Sequence, residues 1–108
     1  MATVTQQQAF ELALDHHRAG RISEAEGIYR QLLALQPQNQ DLVQLLGVVA
    51  HQSGRLDEAL SLIQRAIAGN PGAFSYYNNL GLLLTRMGRR EEAVVAFQKC
   101  HPAASGCH

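Results

Sequence analysis

At 108 residues the chain has room for one domain with a modest core. Nine Lys and Arg balance nine Asp and Glu, which excludes the basic excess of a general nucleic-acid binder and gives no attraction to an acidic membrane surface. Hydrophobic residues at 46% and charged residues at 17% are ordinary for a folded soluble domain, and neither a secretory leader nor an apolar run of membrane-spanning length stands out.

Thr5 opens a first helix as N-cap, with Gln8 three residues on to complete a capping box. Ala9, Leu12, Ala13 and His16 follow at helical spacing, and the pattern stops at Gly20, a residue suited to a left-handed helix end. A second helix begins near Ile22, carries Ala25, Tyr29, Leu32 and Leu33 on its apolar stripe, and ends at Pro37. The middle stretch repeats the design. Leu42, Leu46 and Val49 precede Gly54; Asp57 and Glu58 suit the positive end of the next helix; Ala59, Leu60, Ile63, Ala66 and Ile67 form the cleanest stripe before Asn70-Pro71-Gly72. The last stretch has Tyr77, Leu80, Gly81 and Leu84, then Gly88, then Ala93, Val94, Phe97 and Cys100. The spacing predicts six helices, near 6–19, 22–35, 40–53, 56–68, 74–87 and 90–101, and no strand.

Ala25, Ala59 and Ala93 are thirty-four residues apart, as are Gly20, Gly54 and Gly88, and Leu12, Leu46 and Leu80. Such a period signals stacked helix pairs, each leaving an apolar face for its neighbour to cover. The units run over residues 6–39, 40–73 and 74–107 of a single domain spanning 1–108. Ala13, Gly47 and Gly81 on the first helix of each pair, facing Ala25, Ala59 and Ala93 on the second, predict close helix approach. Tyr29, Ile63 and Phe97 then fill the space toward the next unit. The middle unit, flanked on both sides, is expected to be the stable centre.

These residues resemble the tetratricopeptide repeat, through Leu12-Ala13, Gly20, Ala25, Tyr29 and Pro37, then Leu46-Gly47, Gly54, Ala59, Ala66 and Pro71, then Tyr77, Leu80-Gly81, Gly88, Ala93 and Phe97. The resemblance covers residues 6 to 101 and implies an all-α fold, a right-handed superhelix (α-solenoid) of three helix-turn-helix units. His16 and Ala50 replace the family's usual Tyr, and Val43 stands where a large aromatic is common. Arg90 and His101 occupy places that are apolar in the earlier units, and Ser105 stands where the closing Pro belongs. The stretch from Pro102 to His108 supplies no full C-terminal capping helix, so Val94, Phe97 and His101 are expected to leave a face for self-association, as a homodimer or by helix exchange.

The resemblance also implies a peptide-binding groove on the concave face, lined by the first helix of each pair. Its expected lining is Phe10, Leu14, His17 and Arg18 from the first unit, Gln44, Val48 and His51 from the second, and Asn78, Asn79, Leu82 and Arg86 from the third. Leu14, Val48 and Leu82 make an apolar floor; amides beside it can pair with a peptide backbone. A chaperone-tail clamp is excluded, because Phe10, Leu14, Leu45, Ser75 and Asn79 stand where that set needs Lys, Asn and Arg. Asn79 before Leu80-Gly81 resembles repeats that precede glycosyltransferases, but Glu11 and Leu45 break the Asn ladder.

His17 and His51 lie one period apart, yet two ligands are too few for structural zinc, and Cys100, His101, Cys107 and His108 match no finger spacing. Asp57-Glu58 and Glu91-Glu92 recur in helix first turns, where dipole compensation accounts for them better than acid–base catalysis. No metal, no cofactor and no enzyme activity are therefore expected of these residues. Cysteine usage points to a reducing cytoplasm. The expected role is a protein-binding module. The alternatives are a self-associating scaffold and the front of a longer enzyme such as a glycosyltransferase.

Overall fold

Six helices follow one another along the chain: α1 (Gln6–Arg18), α2 (Ile22–Leu35), α3 (Gln40–Gln52), α4 (Leu56–Gly69), α5 (Phe74–Arg86) and α6 (Arg90–Cys100). The computed structural model describes residues 5–100, so His101, Pro102, Cys107 and His108 lie outside the described residues. No strand occurs among the described residues, and none of their helices is long and apolar enough to cross a membrane.

Local chemistry sets the helix ends. Thr5 Oγ1 accepts the Gln8 amide at 3.0 Å and Gln8 Oε1 accepts the Thr5 amide at 2.9 Å, the expected capping box. Asn39 caps α3 by accepting the Leu42 amide at 3.3 Å. Each hairpin turns at a glycine with positive φ, at 83° for Gly20, 82° for Gly54 and 80° for Gly88. The residue after each glycine bonds back to the last helical turn: Arg21 to the His16 carbonyl at 2.8 Å, Arg55 to that of Ala50 at 2.9 Å, Arg89 to that of Leu84 at 2.9 Å. This is the bond pattern that satisfies a helix C-terminus when the next residue is left-handed. Glu24, Asp57 with Glu58, and Glu91 with Glu92 occupy the first turns of α2, α4 and α6.

The chain packs as an all-α solenoid. Each odd-numbered helix lies against the even one that follows, and each even one against the next odd one. One core cluster joins Ala13, Ala25, Tyr29 and Leu32 to Leu42, Leu46 and Val49 of the second unit. Two more join the second unit to the third, through Ala50, Ala59, Ile63 and Leu83 and through Val43, Ala66 and Tyr76. Accordingly α3 is the most buried helix, with Leu42, Val43, Leu46, Val49 and Ala50 almost fully covered.

Close approach within a pair rests on glycine. A Cβ on Gly47 would lie 2.7 Å from Ile63 Cγ1, and one on Gly81 would lie 2.5 Å from the Phe97 ring. Phe97 thus packs inward on Gly81 and is half-buried, so it exposes less than the sequence pattern suggests. The exposed apolar surface of α6 comes from Val94 and from Val95, which sequence reasoning did not single out.

Four charges clasp the first two units from outside. Arg55 donates to Glu26 at 2.8 and 3.1 Å and to Glu58 at 3.2 Å, while Arg30 donates to Glu26 at 2.8 Å and Glu58 at 3.1 Å. The Arg55 hydrogen bond leads the effects that hold the Glu26 carboxyl below its ordinary value, against the opposing pull of burial. Between the second and third units the Tyr76 hydroxyl donates to Asp41, and burial with that bond pushes the phenol up to about 12.

Replacing Gly47 with Ala is expected to cost stability. Overpacking against Ile63 costs about 1–3 kcal/mol, which exceeds the roughly 1 kcal/mol of helix propensity gained. Gly27 on α2 is exposed with nothing within 4 Å of an added Cβ, so Gly27→Ala should gain about 0.5–1 kcal/mol. Urea midpoints should move in opposite directions; a higher midpoint for Gly47→Ala would refute the close-packing account.

Candidate functional site

The odd-numbered helices share one face. Leu14, Val48 and Leu82 occupy equivalent places on α1, α3 and α5; Leu14 and Val48 are half-buried and Leu82 is 49% exposed. Around them stand half-buried Phe10, Asn78 and Asn79 and exposed Arg18 and Arg86. Two groups differ from the simple picture of a free groove lining. Gln44, in register with Phe10 and Asn78, is only 8% exposed, because the middle helix is covered from both sides. His17 is half-buried and already engaged. Its ring packs edge-on against Tyr29 with centroids 5.9 Å apart, Nδ1 lies 3.1 Å from the Tyr29 hydroxyl, and Nε2 lies 2.6 Å from Gln52 Oε1. Since the amide oxygen only accepts, Nε2 donates to it, and in the neutral ring Nδ1 then accepts from the Tyr29 hydroxyl. Phe10 flanks the same tyrosine at 6.4 Å.

Neighbouring odd helices are tied across this face. His17 reaches Gln52 from α1 to α3, and the Arg86 guanidinium donates to the His51 carbonyl from α5 to α3. Arg18 forms a loose pair with Asp15 at 3.5 Å and is otherwise open to solvent. His16, at the turn end of α1, accepts from Arg21 Nε at 2.8 Å. The floor of the first unit is a cleft of about 450 Å³ between Gln7, Phe10, Glu11, Leu14, Asp15 and Arg18. Phe10 separates it from a second cleft of about 340 Å³, which Gln6, Gln36, Asn39 and Asp41 line with amide and carboxylate groups. Gln36 donates to Gln6 at 2.6 Å and accepts from Asn39 at 2.8 Å. This second cleft was not anticipated from sequence. Gln6 and Gln36 fall at helix ends, where periodicity carries no signal, whereas Asn39 immediately before α3 was readable as an N-cap.

A sequence model of the tetratricopeptide repeat matches residues 16–81, and another matches residues 74–101. The chain belongs to the tetratricopeptide repeat family. The repeat array superposes on a crystal structure of MamA with a TM-score of 0.80, at 25% identity over 94% of this chain and 59% of that one. A second MamA crystal structure matches at 0.78 and 24% identity, covering 91% of this chain and 54% of the other. A mutant O-GlcNAc transferase of Thermobaculum terrenum matches at 0.82 and 26% identity, over 94% of this chain but 20% of the transferase. The chain therefore spans less than two thirds of the length of each of these proteins. No protein with a curated description is matched by sequence. Tetratricopeptide repeats are in general non-catalytic scaffolds that bind protein partners.

Burial first, and the Arg86 charge second, hold the His51 imidazole below its ordinary value. The unfolded chain therefore takes up this proton before the folded one does. The stability from neutral His51 is present above the unfolded value of about 6.5 and is lost as pH falls toward the folded value. The urea midpoint is expected to drop between about pH 7.5 and about pH 5.5, and His51→Gln should drop less over the same interval. Equal drops in both proteins would remove His51 from this role.

Proposed function

We propose that the repeat array is a non-enzymatic, cytoplasmic protein-interaction module that takes a peptide or partner helix along its concave groove, the face of α1, α3 and α5. The carrying observation is the in-register floor of Leu14, Val48 and Leu82, with Phe10 standing between two open clefts. Apolar positions spaced along an extended face receive alternate side chains, and Asn78, Asn79 and Arg18 beside them suit backbone or carboxylate groups. His17 acts as a fixed wall of this groove, because both ring nitrogens are spent on Tyr29 and Gln52. The likeness to MamA and to the repeat region of the transferase supports a binding scaffold. The transferase likeness also suits the reading that the module serves as the front of a longer enzyme. With Leu82→Glu combined with Leu14→Glu, partners recovered on the immobilised module should be lost while the helical circular dichroism persists. Undiminished recovery would sink the groove reading.

A second reading, self-association, is favoured by α6, where Val94 is 54% exposed at the end of the stack. The opposite end is unlike it. Gln8, Asp15 and His16 on α1 stand in register with buried Leu42, Val49 and Ala50 on α3. Head-to-tail stacking would bury Asp15 where the inner junction buries Val49, so two copies would meet through α6 and its mate, a closed two-fold contact. Light scattering across a concentration series should show mass rising toward a dimer and Val94→Glu holding the monomer. A constant monomer mass for the parent chain would end this reading.

A further inference from the structure

The two junctions between units are built differently on the side away from the groove. Between α2 and α4 the outer surface is closed. Leu62 packs against the cluster of Val43, Ala66 and Tyr76, the floor residues Val43, Leu46 and Ala50 are at most 1% exposed, and the Arg30–Glu58 bridge at 3.1 Å joins the two helices. One period later each part of that closure is missing. Ala96 stands in place of Leu62, Gln64 in place of Arg30, and Glu92, the counterpart of Glu58, is taken by Arg89 of its own turn at 2.6 and 2.8 Å. What remains between α4 and α6 is a crevice of about 260 Å³ over α5, with Tyr77, Leu80, Leu84, Val95 and Ala96 as its apolar wall. Leu80 and Leu82 differ by about 200° around α5, so this crevice and the groove lie on opposite sides of the helix.

The rim has a sign. Lys99 lines the crevice with its ammonium 5.9 Å from the centre of the Tyr77 ring, and among the described residues no carboxylate pairs with it. The Glu92 charge is offset by Arg89. A missing isobutyl group beside an unpaired cation asks for an aliphatic side chain with a carboxylate next to it.

We infer that the α4–α6 crevice is a second docking site, which takes an aliphatic side chain of a partner protein while Lys99 holds an adjacent Asp or Glu of the same segment. The aliphatic group does for the second junction what Leu62 does for the first. The site is separate from the groove, while Val95 borders both the crevice and the exposed α6 surface at Val94.

The probe is an acetylated, amidated heptapeptide, Ser-Gly-Leu-Leu-Glu-Gly-Ser, with a counterpart carrying Gln for Glu. Titration of the nitrogen-15-labelled protein should give saturable shifts at the backbone amides of Glu92, Val95, Ala96 and Lys99. The Gln peptide should bind about three- to fivefold more weakly, the scale of one exposed ion pair. Lys99→Gln should bind both peptides equally, and Ala96→Leu, which restores the filling side chain, should abolish the shifts. Absence of saturable shifts at these amides overturns the site. Equal affinity of the parent protein for the two peptides overturns the carboxylate requirement and with it the proposed partner chemistry. Should Ala96→Leu fail to fold, the peptide pair and Lys99→Gln decide the matter without it.

Discussion

The contact on which the array depends is the one between a glycine on the first helix of a pair and a bulky side chain on the second. Ile63 on Gly47 and Phe97 on Gly81 leave no room for a β-carbon, so α4 and α6 can seat a bulky side chain directly against the backbones of α3 and α5. This spacing decides which faces remain. With the pair closed at its centre, apolar residues on the flanks point toward the next unit, and the stack is built by covering them. In the first pair Ala13 takes the glycine's place and Tyr29 the bulky one, both fully buried. The larger ring brings a hydroxyl with it, which must find a partner inside, and His17 supplies that partner. A packing choice at position 29 thereby fixes the chemistry of the groove wall.

The two junctions show how a repeat diverges without losing its fold. Both keep the apolar contact between an even helix and the following odd one. Their outer seams differ. At the first, Glu26, Arg30, Arg55 and Glu58 share their charges in a ring, with side chains that are 20–50% exposed. Exposed ion pairs contribute little each, about 0–1 kcal/mol, so the ring does more to close the seam than to hold the fold. At the second, Leu60 and Gln64 replace Glu26 and Arg30, and Leu60 joins the cluster of Leu84, Ala93 and Ala96 instead. Stability there shifts from the rim to the interior, and the surface above is left open.

Sequence reached the parts of the structure that depend on period. The six helices, the three left-handed glycines, the Thr5 capping box and the tetratricopeptide pattern all follow from local chemistry repeated at fixed intervals, and each predicted helix ends within one residue of the observed end. It did not reach what depends on the neighbours of a position. Gln44 has the same register as Phe10 and Asn78, yet it alone is buried, since only α3 has units on both sides. Val48 and Leu82 differ in exposure for the same reason. His17 and His51 look like a matched pair in the sequence. Position 29 is Tyr in one unit and Ile63 in the next, so only His17 has a hydroxyl to meet. The crevice was hidden similarly: Ala96 reads as a good helix former until Leu62 shows what that place does one unit earlier.

The ties between odd helices are unequal at the two junctions. Helices α3 and α5 are held near both ends, by Asp41 with Tyr76 at their starts and by the His51 carbonyl with Arg86 at their finish. Helices α1 and α3 are held at one end by His17 and Gln52, whereas at the other the 340 Å³ cleft separates them. There the Gln36 side-chain amide at the α2–α3 turn donates a hydrogen bond to the Gln6 side-chain oxygen of α1, which water can replace at little cost. The start of α1 therefore depends on the packing of Ala9 and Phe10 against the first core cluster, and of Phe10 on Tyr29, more than on polar ties to α3.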